Sequence, residues 1–282
     1  MKLSNMTAVR QLLASHGFRI KQGLGQNFLV DHNILQNIVK AAGVNPGDLV
    51  LEIGPGIGAL TQVLAQAGAR VIAVEIDSAL IDILRETMAE YPQVQVVAGD
   101  ALRLNFAQLL PADTPCRVVA NLPYYITSPL LMKLCQDQLP LTLAVVMIQR
   151  EVAERILATP GSKEYGALSV TLAYYVHAEM VSTVSRRVFF PQPNVDSAVI
   201  RLTPRPFPYP AANTEIFTAA VRAAFAQRRK TLRNSLRAVG YDADAILFAA
   251  GIDGGRRGET LNLQEFGQLS LALANHISET PS

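Results

Sequence analysis

Apolar and polar positions follow two regimes along this chain. From about residue 48 to residue 203, short β-branched runs alternate with amphipathic stretches. The runs are "LVLEI" from Leu49, "RVIAVEI" from Arg70, "VQVVAG" from Val94, "RVVAN" from Arg117 and "LTLAVVMI" from Leu141. Between them, "ALTQVLAQAG", "SALIDILRETMAEY" and "ITSPLLMKL" carry apolar residues at helical spacing. Short buried strands separated by helices predict an α/β fold with a doubly wound, mostly parallel sheet. Two later strands, near 179–184 and 195–202, bring it to seven.

"TPRPFPYPAAN" then breaks the alternation. Four prolines within 204–210 cannot continue a helix or a central strand, so a linker is expected there. Beyond it the pattern is helical throughout, clearest in "EIFTAAVRAAFAQRRKTLRNSLRAVG" and "NLQEFGQLSLALANHI". Asn262 with Glu265 resembles a helix-starting capping box. Two domains are expected, residues 1–205 and a small all-α domain over 206–282.

Composition narrows the classes. Half of the 282 residues are apolar, enough for one large domain and a small one. Cys116 and Cys135 have neither CxxC spacing nor a histidine pair, so buried thiols are expected and no metal. The first residues lack the apolar core of a signal peptide, and the apolar run "LAVVMI" is far too short to cross a bilayer. A soluble, cytoplasmic protein is expected.

Net charge is only +2, but it is unevenly spread: residues 180–241 hold ten Lys or Arg against Asp196 and Glu215. The first thirty residues carry Lys2, Arg10, Arg19 and Lys21 and no acid. Two basic segments on an otherwise acidic chain point to a polyanion. On a helix through 222–237, Arg222, Arg229 and Arg233 would fall within about 40° of one another. Val221, Phe225, Leu232 and Leu236 would form the adjacent apolar stripe. Such a helix would pack on its own domain and face phosphates; an ordinary solvated face is the alternative.

The candidate chemistry lies at strand ends, where open α/β sheets bind ligands. In "LEIGPGIGALT", Gly54, Gly56 and Gly58 follow a strand and open a helix, and Glu52 precedes them. Such a loop admits a close ligand but is shared with NAD enzymes. Glu75 ends the next strand, where a carboxylate can accept ribose hydroxyls. Asp100 ends the third, where it can accept an exocyclic amine. Asn121 ends the fourth and opens "NLPYY". An amide followed by tyrosines suits a planar substrate carrying an amino group. Asn121 and a backbone carbonyl of Asn121–Leu122–Pro123 would accept its two N–H groups, and Tyr124 would stack on its ring. Phe189 or Phe190 would close the other face; core packing is the alternative for both.

These motifs resemble the class I S-adenosylmethionine-dependent methyltransferases, and among them the KsgA/RsmA family of small-subunit rRNA dimethyladenosine transferases. The resemblance rests on "GLGQNFLVD", "LEIGPGIGALT", "VEID", "AGDAL", "NLPYYITSPLL", "VFFPQPNVDSAVIRL" and "RRKTLRNSL", in that order. It implies S-adenosyl-L-methionine as cofactor. Asn27 and Leu29 would touch its methionine end, Gly54 would approach it, Glu75 would hold its ribose and Asp100 its adenine. Asn121 would sit beside the reactive methyl, with Leu122, Pro123 and Tyr124 completing the catalytic segment. It implies two methyl groups on N6 of each of two adjacent adenosines, in a hairpin loop near the 3′ end of 16S rRNA, in the small subunit or its precursor. The chain would act as a monomer, with Arg222, Arg229 and Arg233 on the RNA. Erm-type enzymes of large-subunit rRNA share the "NLPY"-like and "F-x-P-x-P-x-V" motifs and are the nearest alternative, although "VDSAV" and "RRKTLRNSL" favour the small-subunit family. A non-catalytic ribosome assembly factor is another.

Overall fold

"LVLEI" forms β2 (Leu49–Ile53), a strand buried at all five positions. A strand covered on both faces reads as a continuous apolar run, which is why no alternation marks it. The structure is a computed structural model that describes residues 3–111, 114–137, 139–227 and 229–279. Lys2 and Arg228, two of the basic residues counted above, lie outside the described residues.

The chain separates into two compact units, Met1–Ala153 with Ala178–Pro204, and Glu154–His177 with Arg205–Ser282. In the first, α1 (Met6–Ser15) and the two-residue strand β1 (Phe28–Leu29) precede α2 (His32–Ala41) and β2. There follow α3 (Ala59–Gln66), β3 (Arg70–Glu75), α4 (Ser78–Thr87), β4 (Val94–Ala98), α5 (Phe106–Leu109) and β5 (Cys116–Asn121). Next come α6 (Thr127–Gln136), β6 (Leu141–Gln149) and α7 (Arg150–Ile156), the last of which runs into the second unit. Asn5, Asp31 and Asp77 cap α1, α2 and α4 with their side chains, satisfying amides that a helix start leaves open.

The sheet has seven strands, in the order β4-β3-β2-β5-β6 followed by β9 (Ser197–Pro204) and β7 (Val176–Val184). The first five are parallel. β9 runs antiparallel to β6, with Gln149 opposite Ser197. From β2 the chain winds outward through β3 and β4, then returns to β5 on the other side of β2. The switch point between β2 and β5 opens a crevice at their carboxyl ends. A separate two-stranded ribbon pairs β1 with β8 (Phe189–Phe190), Phe28 opposite Phe190.

The second unit contains α8 (Ala167–Tyr175), α9 (Thr214–Phe225), α10 (Leu232–Ala238), α11 (Ala243–Ala250) and α12 (Leu263–Glu279). The expected boundary near residue 205 coincides with the break at Pro204, but 154–177 also joins this unit. Val170 and Tyr165 are buried in one core with Phe217, Leu236 and Phe266. The predicted linker is packed rather than free: the Phe207 ring stacks on Tyr174, with centroids 5.2 Å apart. The box at α12 forms as expected, with Glu265 N donating to Asn262 Oδ1 and Asn262 N to Glu265 Oε2.

The helix expected through 222–237 is two helices. α9 ends at Phe225, and Thr231 starts α10 by accepting from Asn234 N with its hydroxyl. Val221, Leu232 and Leu236 are still buried, so the apolar pattern was real and its continuity was not. With the helix broken, Arg222 no longer shares a helical face with Arg229 and Arg233.

Candidate active site at the carboxyl edge of the sheet

Three segments far apart in sequence meet above β2 and β5. The "GPGIG" turn, the "GLGQNFL" segment and "NLPYY" enclose a cleft of about 980 Å³, its open mouth included, lined also by Glu75 and Asp100. Their fit depends on missing side chains. Gly54 has φ 70°, and a Cβ there would lie 3.2 Å from Pro123 Cδ. A Cβ on Gly56 would lie 3.1 Å from the Phe28 ring. Glycine here permits close approach of protein to protein, beyond the approach to a ligand expected from the motif.

Asn121 is the last residue of β5. Its Nδ2 donates to the Asn27 carbonyl at 3.3 Å. That contact fixes which end of the amide is the acceptor for anything else. Leu122 N donates to the Met147 carbonyl at 3.0 Å, tying the segment to β6. The Pro123 carbonyl accepts from Thr127 Oγ1 and Ile126 N, both at 3.2 Å. Tyr124 is partly buried, and its phenol lies 2.7 Å from Ser197 Oγ.

Glu75 is 5% exposed. Its Oε1 accepts from Ile76 N and Asp77 N, and Oε2 from Gly56 N at 3.1 Å. Burial pushes its pKa up, against the pull of those three amides. By the hydrogen bonds among the described residues, Oε2 keeps one acceptor position. Asp100 accepts Leu102 N at 2.9 Å and is partly exposed.

Glu52 is 1% exposed and lines the cleft. Burial raises its pKa to about 8; Thr61 pulls it down and Glu75 adds to the rise. Neither Glu52 Oε2 nor Thr61 Oγ1 has a partner in hydrogen-bond geometry. Glu52 Oε2 is therefore an unpartnered buried polar atom on the cleft wall, and such an atom calls for a hydrogen-bond partner.

The structure brings Asn27, Leu29, Gly54, Glu75, Asp100, Asn121, Leu122, Pro123 and Tyr124 to one cleft. Phe189 and Phe190 are not among its lining. Phe189 is 1% exposed within the core, which removes it as a surface for a base. Phe190 carries the Arg10 guanidinium 4.9 Å from its ring centroid. Adjacent strand residues point to opposite faces, so the pair never offered two equivalent rings. The three arginines belong to the other unit, and all are exposed, with Arg233 Nε 3.0 Å from Asp244.

One brace of the site was not read from the sequence. Asp77 is inaccessible and binds Lys21 Nζ and Gln26 Nε2, both at 2.7 Å, latching the 21–29 segment to the start of α4. Burial would raise its pKa, but the lysine, the glutamine and Ala79 N together hold it below the usual carboxylate range. Tyr125 is 51% exposed at the lip of the cleft. The only signal for Asp77 was its place in "VEID". Among the described residues no group of three or more His, Cys, Asp or Glu is placed to hold a metal, and no helix is long and apolar enough to cross a membrane.

A seven-stranded sheet of this order, with a glycine turn after β2 and acidic residues at the next strand ends, is that of a class I S-adenosylmethionine-dependent methyltransferase. The polar lining suits that cofactor: carboxylates to accept from hydroxyls and an amine, and the unpartnered Glu52 Oε2 on the same wall. Residues 17–275 match the ribosomal RNA adenine dimethylase family. The chain belongs to that family. It is 49% identical, over 94% of both chains, to ribosomal RNA small subunit methyltransferase A of Geobacillus thermodenitrificans. Among solved structures it resembles a dimethyladenosine transferase from Plasmodium falciparum (TM-score 0.74, 29% identity, 88% of this chain and 98% of that one). It also resembles the 23S rRNA methyltransferase ErmE (TM-score 0.65, 30% identity, 87% and 99%).

Proposed function

We propose that this chain transfers methyl groups from S-adenosylmethionine to N6 of two adjacent adenosines near the 3′ end of 16S rRNA, two to each. The carrying observation is that Asn121–Tyr124 opens into the same cleft as Glu75 and Asp100. The choice of small over large subunit is supported by identity, 49% to the small-subunit enzyme against 30% to ErmE. The proposed setting is the cytoplasm, and the proposed acting unit is a single chain.

The amine of adenine is a weak nucleophile because its lone pair is delocalised into the ring. When bound, S-adenosylmethionine supplies a methyl already activated on a sulfonium. The protein's task is then positioning and charge management. Asn121 Oδ1 accepts one N–H of the amine, its direction set by the bond from Nδ2 to the Asn27 carbonyl. The Leu122 carbonyl accepts the other, since the Pro123 carbonyl is already engaged in the turn. Two fixed acceptors hold the amine with its lone pair toward the methyl and stabilise the positive charge as it develops. Asn121 is neutral, so the proton leaves to solvent rather than to a general base. Tyr124 stacks on the adenine, a contact worth about 1–3 kcal/mol. Asn27 and Leu29 line the methionine end, Glu75 holds the ribose and Asp100 the cofactor adenine. Arg222, Arg229 and Arg233 are proposed phosphate contacts of the helical unit.

The test is transfer of labelled methyl to small-subunit particles and, in parallel, to large-subunit RNA. Label confined to the small-subunit RNA is expected. Label confined to the large-subunit RNA would turn the assignment to the Erm-type alternative.

A further inference from the structure

The "VDSAV" motif carries part of the family resemblance, yet nothing so far gives its serine a role. Ser197 is 0% exposed and is the first residue of β9. It stands opposite Gln149 in the β6 ladder. Its neighbour Asp196 accepts Arg150 N with its carbonyl and Arg186 N with Oδ1, both at 3.0 Å. The hydroxyl is thus mounted on backbone pinned from two sides. It lies 2.7 Å from the Tyr124 phenol, across 73 residues of sequence.

Among the described residues the Tyr124 phenol hydrogen-bonds to Ser197, and the residue itself opens a short 3₁₀ turn over Tyr124–Ile126. Without that far-end bond, a partly buried ring gains freedom to tilt. A tilt of roughly 10–15° moves an atom stacked about 5 Å from the pivot by about 1 Å, enough to cost around a hundredfold in a well-aligned reaction. Burial raises the Tyr124 pKa, Ser197 opposes that and Asp196 adds to it, so the phenol stays neutral. The contact is a bond between two neutral hydroxyls, and its strength changes little near neutral pH.

We propose that Ser197 is a positioning residue for methyl transfer: it anchors the far end of the Tyr124 ring and so sets the plane on which the target adenine stacks. This rests on the reading of Tyr124 as the stacking platform. Ser197 does not line the cleft and would touch neither substrate nor cofactor.

A double-mutant cycle tests it, with Ser197→Ala, Tyr124→Phe and the double variant compared with wild type. The readouts are kcat, KM for RNA, S-adenosylmethionine affinity and Tm. Ser197→Ala is expected to lower kcat roughly two- to tenfold with cofactor affinity unchanged. The double variant should be no slower than the slower single variant, because each change removes the same bond. A wild-type kcat for Ser197→Ala, or effects that multiply in the double variant, would overturn the proposal. If the alanine variant is not recovered folded, Ser197→Cys, whose thiol is only a weak hydrogen-bonding group, takes its place under the same two criteria. Tyr124→Ala separates the layers. If it retains full turnover, the stacking reading itself fails; if it loses turnover while Ser197→Ala does not, only the positioning role of Ser197 fails.

Discussion

The buried carboxylate of Asp77 holds the Lys21 ammonium at 2.7 Å, and its other oxygen holds Gln26 at the same distance. The next residue, Asn27, gives its carbonyl to the Asn121 amide. One carboxylate at the start of α4 thereby braces the segment that orients the proposed catalytic side chain.

Asp77→Asn keeps a helix-capping side chain but removes the charge. It is expected to loosen the 21–29 segment and weaken S-adenosylmethionine binding by roughly 1–2 kcal/mol, discounted for the half-exposed lysine. Calorimetry of cofactor binding, alongside a thermal melt, measures both effects. Cofactor affinity equal to wild type would mean the latch is structural only.

Glu52 is expected to make stability depend on pH. Its folded pKa, about 8, lies above the ordinary carboxyl value of 4.5, so between these values the folded chain binds more protons than the unfolded one. Stability from this group is present below the unfolded pKa and is lost as pH rises toward the folded one. Glu52→Gln, neutral at every pH, should flatten the fall in unfolding free energy between about pH 5 and 8. An unchanged pH profile in denaturant titrations would remove Glu52 as its source.

Glu75→Ala is expected to weaken S-adenosylmethionine binding by roughly 1–3 kcal/mol, the cost of hydrogen bonds to a charged group. The same change frees the amides of Gly56, Ile76 and Asp77, so Tm should fall as well. A fall in Tm with no loss of affinity would assign the carboxylate to the turn alone.

The strand-end residues were legible because β-branched runs stop where a carboxylate, glycine or amide appears. That arrangement is local in sequence and repeats at Glu52, Glu75, Asp100 and Asn121. What braces them was not legible. Lys21 and Asp77 lie 56 residues apart, and Tyr124 and Ser197 lie 73 apart. No local pattern reports such pairings. The helix break between Phe225 and Leu232 was hidden for a different reason. No glycine or proline marks it, only Thr231 as a cap, while buried Val221 and Leu232 keep the apolar pattern going. Residues 154–177 were assigned to the sheet domain because they fall between two of its strands.

The arginines of the helical unit are expected to act unequally. Arg222 and Arg229 are exposed, whereas Asp244 ion-pairs with both Arg233 and Arg237. Each lost phosphate contact should reduce the salt slope of RNA binding by about one unit. Arg222→Ala with Arg229→Ala should therefore flatten the slope, and Asp244→Ala should leave it equal or steeper. RNA dissociation constants at several salt concentrations decide this. Parallel slopes for the double variant and wild type would make those two arginines solvated surface.

The proposed role of the Asn121 amide at the end of β5 is to drive dimethylation of adenine. The most direct measurement is mass spectrometry of nuclease-digested RNA from small-subunit particles treated with wild type or with Asn121→Ala, at saturating S-adenosylmethionine. Wild type is expected to yield two adjacent N6,N6-dimethyladenosines. Asn121→Ala should fall in rate on the order of a hundredfold or more while still binding RNA, since the lost acceptor acts as charge develops. Dimethylation by Asn121→Ala at near wild-type rate would rule out that role.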